Sequence, residues 1–208
     1  MRDVWCLSLH AALVILVLGA GLATAAGPGA PSGRFELSSD PDRVVVSLSE
    51  QFGEIEDADH PWMRIYADGR VVRHRPSYMK HPGDHIGQIS PLELERLLDS
   101  LAGKGIMEFD GRAAAASKRE AEQNRSQLYF SSDPSLIEIV VQLDSYKPAG
   151  SLTAKRDFHK TISWQGLRHD AKRFPEIAEL QNLAAAFRQL NELAARIESE
   201  AGGKGESS

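Results

Sequence analysis

Hydrophobic and polar positions follow two periods along this chain, one of two residues and one between three and four. The first period marks strands. Residues 43–48 (RVVVSL) form a β-branched run of strand length, with Val44 and Val46 on one face and Val45 and Ser47 on the other. Two short runs, Met63-Arg64-Ile65-Tyr66 and Val71-Val72-Arg73-His74, flank Asp68-Gly69. Asp-Gly between such runs signals a β-hairpin with a two-residue type I′ turn, in which both central residues take φ > 0. Residues 136–143 (LIEIVVQL) are the strongest strand, apolar enough to be largely buried, and 160–164 (KTISW) form a weaker one after a turn at 146–150.

The longer period marks helices. Leu94, Leu97, Leu98 and Leu101 make one apolar stripe behind Ser90-Pro91-Leu92-Glu93. In that tetrad Ser90 accepts from early backbone donors, Pro91 sits where no donor is needed, and Glu93 reaches back to close a capping box. Gly103 is the expected residue just past the helix end, and Ile106 to Phe109 are an apolar return onto the sheet. Ile177, Leu180, Leu183, Phe187, Leu190, Ala194 and Ile197 recur at steps of three and four, which predicts a long helix from Pro175 or Glu176 to Gly202. Residues 75–89 hold Pro76, Pro82, Gly83 and Gly87 and read as a loop. Residues 112–125 have helical propensity but almost no apolar stripe, so a solvated helix and a mobile loop both fit.

This order predicts an α+β domain: a mostly antiparallel sheet with two amphipathic helices packed on one face, preceded by a signal peptide. The expected division is a signal peptide at 1–25, a flexible linker at 26–42, a single domain at 43–201 and a disordered tail at 202–208. The expected core is Val44, Val46, Ile65, Val71, Leu97, Leu101, Ile139, Val141, Leu183 and Phe187.

The signal peptide rests on a short apolar core at 11–18 followed by small residues, with Ala23-Thr24-Ala25 fitting a cleavage site before Ala26. The core falls well short of the roughly 20 residues of a membrane span, so a secreted or periplasmic protein without a stable membrane anchor is expected. Cys6 is the sole cysteine and precedes that core, so the mature chain would hold no disulfide, thiolate nucleophile or cysteine metal site. With 24 basic against 29 acidic residues the net charge is −5, which argues against a nucleic-acid binder.

The Asp68-Gly69 hairpin, the leucine-rich helix opening with Ser90-Pro91 and ending Gly103-x-Gly105 before an apolar return, then strands and a last helix, resemble small secreted bacterial α+β domains. The same element order, over about 44–190, is similar to the emfourin type of metalloprotease inhibitor. The resemblance implies a fold and a binding role; no inhibitory motif of that family matches residue by residue here.

Two constellations carry candidate chemistry. Arg64, Tyr66, Arg70 and Arg73 put cations and an aromatic ring on the hairpin, as an anionic polysaccharide or an acidic protein surface would require. His74, His81, Asp84 and His85 supply ligand types suited to zinc or a similar ion, with Asp57, Asp59 and His60 just upstream. Pro82 and Gly83 separate His81 from His85, so their spacing defines no helical ligand pair. There is no G-x-S-x-G elbow, no P-loop, no G-x-G-x-x-G after a strand and no S-x-x-K with its partner motifs. The expectation is therefore a secreted or periplasmic non-enzymatic domain, without a cofactor, that binds a protein or an anionic polymer. The alternatives are an exported protease inhibitor and a small metal-binding enzyme using the 74–85 segment.

Overall fold

The computed structural model describes residues 33–52, 61–125 and 135–202. The expected signal peptide, the linker before residue 33, the acidic connection at 53–60 and the tail after Gly202 lie outside those residues. The described chain is α+β, with seven strands and four helices: β1 (Phe35–Glu36), β2 (Val44–Gln51), β3 (Met63–Tyr66), β4 (Arg70–Arg75), β5 (Gly83–Gln88), α1 (Pro91–Gly103), α2 (Gly111–Arg125), β6 (Leu136–Tyr146), β7 (Lys155–Gln165), α3 (Leu167–Arg173) and α4 (Ala178–Gly202). Every strand pairing is antiparallel. The sheet runs β6-β2-β3-β4-β5, with β7 along the other side of β6 and β1 pairing the far end of β6.

Alternation decides which side of the sheet is covered. Leu48, Ile139 and Ile162 lie in register across β2, β6 and β7 and are all buried, whereas Ser47, Val140 and Thr161, one position along, are more open. Antiparallel sheets tolerate water on one face in this way. The buried face joins Leu94, Leu98, Phe174, Leu183 and Ile197 from the helices and their connections in one core. Nine of the ten expected core residues are buried; Val44 is only half-buried. A register shift against β3 between Val44 and Val46 is a bulge, so Val45 and Val46 are both buried and the simple two-face reading of this strand fails.

The hairpin forms, but not with the expected turn. Ile65 pairs with Val71, which leaves a three-residue loop of Ala67, Asp68 and Gly69. Only Gly69 (φ +84°) is left-handed, its N–H donates to the Tyr66 carbonyl at 3.0 Å, and the Asp68 carboxylate accepts from Arg70 N–H at 2.8 Å. This is a type I turn followed by a left-handed residue.

Several assignments differ from the sequence reading for local reasons. Residues 83–88, read as loop, form edge strand β5. Glycine hides its inward pattern: a Cβ at Gly87 would lie 2.6 Å from the Ile197 side chain, so its absence is what lets α4 approach. Residues 112–125 are helical, and Asp110 opens α2 by accepting from Arg112 N–H at 2.9 Å and Ala113 N–H at 3.1 Å. Part of the expected linker is ordered, because Phe35 stacks on Tyr146 with ring centres 5.7 Å apart. The capping box of α1 is present, with Ser90 and Glu93 exchanging bonds at 3.2 and 3.0 Å, but Gly105 (φ +73°) rather than Gly103 takes the left-handed position after it. The last helix begins at Ala178, and a separate α3 precedes it.

Tyr146, only 1% exposed between Phe35 and Phe158, has its phenol pushed up to about 12, by burial first and by the nearby Glu108 carboxylate second. A raised acid favours the neutral phenol in the folded state. Its contribution is therefore complete below the unfolded value of about 10 and is lost as pH climbs toward 12. Urea unfolding across that window should show a steeper decline for the natural chain than for Tyr146→Phe; parallel declines would contradict this.

Candidate functional site

The outward face of the hairpin brings together three of the four expected binding residues. Arg64 and Tyr66 face outward from β3, and the Arg70 guanidinium lies 4.0 Å from the centre of the Tyr66 ring. Each cation there already has an anion. Arg64 is 3.7 Å from Asp84, and Arg70 pairs with Asp42 and, at 3.8 Å, with Asp68. The face is thus internally neutralised.

Arg73 is not on it. Three loop residues place Arg64 opposite Val72 and Arg73 opposite Met63, so Arg73 points to the covered side. A two-residue loop would have set Arg73 opposite Arg64; a slip of one residue exchanges the faces. Arg73 is 8% exposed, and its guanidinium stacks 4.5 Å over Trp62. It donates to Glu198 at 2.9 Å and to the Trp62 carbonyl at 3.2 Å.

The expected metal residues divide between the two faces. His74 Nδ1 and Asp84 Oδ1 lie 2.7 Å apart across β4 and β5. His85, next along β5, points the other way and donates from Nε2 to the His81 carbonyl at 3.2 Å. Among the described residues no three His, Cys, Asp or Glu side chains gather in a group able to hold a metal ion.

The sequence reading missed a cleft of about 450 Å³ between α3 and α4. The two helices are joined by a short turn through Pro175, with the N–H of Ile177 donating to the Phe174 carbonyl at 3.1 Å. On α3, Asp170 turns inward, and its Oδ2 accepts from Trp164 Nε1 at 2.9 Å and Lys118 Nζ at 2.7 Å. Fixing Asp170 inward leaves Arg168 and Lys172, four apart, toward the cleft. On α4, Gln181, Ala184, Arg188 and Asn191 line its other wall at helical spacing.

Its electrostatics differ from those of the hairpin. Three cations and, among the described residues, no carboxylate line the cleft. Arg168 is held by Glu50, a carboxylate 4% exposed at the end of β2, through a 3.0 Å bond, and lies 5.1 Å from the Phe187 ring centre. Ser135 Oγ donates to the other Glu50 oxygen at 3.0 Å. Lys172 and Arg188 are exposed and have no ion-pair partner among the described residues. Gln181 Nε2 donates to the carbonyls of Ala171 (2.7 Å) and Phe174 (3.2 Å), and Asn191 Nδ2 to that of Phe187 (2.9 Å). These bonds anchor the amide groups and leave the side-chain oxygens as acceptors. The only early signal was the i, i+4 pair of Arg168 and Lys172, in a segment with too few apolar positions to read as a helix.

Fold and geometry together define, over the described residues, an α+β domain with a cationic cleft between two of its helices. No protein-family model, curated protein or solved structure matches the chain.

Proposed function

We propose that this chain is a secreted or periplasmic, non-enzymatic domain that binds a protein or an anionic polymer, and that the α3–α4 cleft is its contact. The observation that carries the reading is the charge of Lys172 and Arg188, unanswered among the described residues, beside the fixed guanidinium of Arg168. Cations without partners raise the local concentration of anions, whereas the paired arginines of the hairpin do so far less. The leader-like segment at 1–25 supports export, and among the described residues no helix is long and apolar enough to cross a membrane.

The test is retention on immobilised dextran sulfate over a salt gradient. The natural chain should be retained at low salt and released as salt screens the contact. Lys172→Glu with Arg188→Glu should weaken binding at least about tenfold, since each reversal removes on the order of 1 kcal/mol. Arg156→Glu, at an exposed position of β7, should not. No retention at low salt, or equal loss from all three substitutions, would remove the cleft as the contact.

A further inference from the structure

We infer that the cleft takes a free carboxylate attached to an apolar body, the chemistry of a peptide or protein C-terminus. The inference rests on the binding role proposed above and names the ligand group. Four apolar residues line the cleft beside its cations, namely the buried Leu167 and Phe187 and the half-buried Ala171 and Ala184. A chain charged at every repeat would place nothing apolar against them. A guanidinium offers five N–H groups in a fixed fork, and Arg168 arrives with one of its nitrogens on Glu50 and its plane beside Phe187. The rest of the fork remains for a carboxylate, a bidentate match that an ammonium lacks.

The acceptors point to the same ligand. Gln181 Oε1 and Asn191 Oδ1 are suited to amide N–H groups, the first of which, in a chain terminus, stands two bonds from the carboxylate carbon. About 450 Å³ is the scale of a small-molecule site and holds an end of a chain rather than its length. Carboxylate on the cations, terminal side chain on the alanines, and backbone N–H on the amide oxygens use every kind of group in the lining.

Calorimetric titration of the whole protein with acetyl-Ala-Leu-Leu as free acid, the same peptide as its C-terminal amide, and octanoate tests this directly. The free acid should bind at least about tenfold tighter than the amide, because the amide removes the charge that the cations answer. Arg188→Ala should weaken the acid through lost charge. Ala184→Leu should weaken it by filling the apolar wall without a charge change, and Arg156→Glu should leave it unaltered. Octanoate binding as tightly as the peptide would support the carboxylate chemistry and move its source to a free apolar acid. Equal affinity for acid and amide would overturn the inference. If dextran sulfate retention persisted in that case, the binding role would stand without it; loss of both would end both.

Discussion

Asp170→Ala is expected to lower the free energy of unfolding by about 3 kcal/mol, the scale for breaking a buried pair from one side. Asp170 is 4% exposed, and a single oxygen serves two donors from different elements. The indole N–H of Trp164 would be left buried without its acceptor, at about 1–3 kcal/mol. Lys118 would lose one of the contacts that fasten α2, whose only buried residue is Ala114, to α3; the bond from Arg125 to the Arg173 carbonyl is another. The Lys118 side chain is 28% exposed and can turn to water, which keeps the loss from growing further. Asp170→Asn retains an acceptor for the indole and should cost less than half as much. Lys118→Met should cost less again. Urea unfolding followed by tryptophan fluorescence checks the order; an Asp170→Ala cost below about 1 kcal/mol would mean that the carboxylate is not what holds this corner together.

The second large effect is at the hairpin. Gly69→Ala should cost at least about 2 kcal/mol, because it places a side chain at φ +84°. It also sets the new Cβ 2.4 Å from the carbonyl oxygen of Ile89. That oxygen belongs to the residue just before the Ser90 cap, and Ile89 N–H donates to the Gly69 carbonyl at 2.9 Å. The strain therefore reaches both the hairpin and the start of α1. Gly103→Ala is the contrasting case: it lies within α1, φ is not positive, and a Cβ there meets nothing within 4 Å. It should be neutral or stabilising by up to about 1 kcal/mol. Equal effects of the two substitutions in thermal unfolding would refute this account of the turn.

The missed and misplaced parts of the candidate site share one cause. A two-residue loop at Asp68-Gly69 would put Arg73 on the face of Arg64 and Tyr66, because loop length alone sets which residues of two strands share a face. The chain adopts the three-residue loop, which places Val71 opposite Ile65 on the buried face. Arg73 can follow it inward because its long side chain reaches Glu198 at the end of α4 and the Trp62 ring, more than a hundred and about ten positions away respectively. The inward positions of β5 were invisible because Gly83 and Gly87 carry no side chain to show a period. α3 was invisible because a seven-residue helix with two buried residues leaves hardly any stripe.

Local sequence patterns determined the strands through residues 43–48, 63–66 and 136–143, the capped leucine helix and the long last helix. Those patterns need only neighbours within a turn or two to be read. Which charges would stand unanswered was a matter for the tertiary structure. Arg64 meets Asp84 and Arg70 meets Asp42 through strand pairing and a neighbouring loop, while Lys172 and Arg188 meet no anion among the described residues because α3 and α4 lie side by side with their cations on the same cleft. A side chain's type is local, but its partner depends on how the elements pack, and the cleft exists only after that packing.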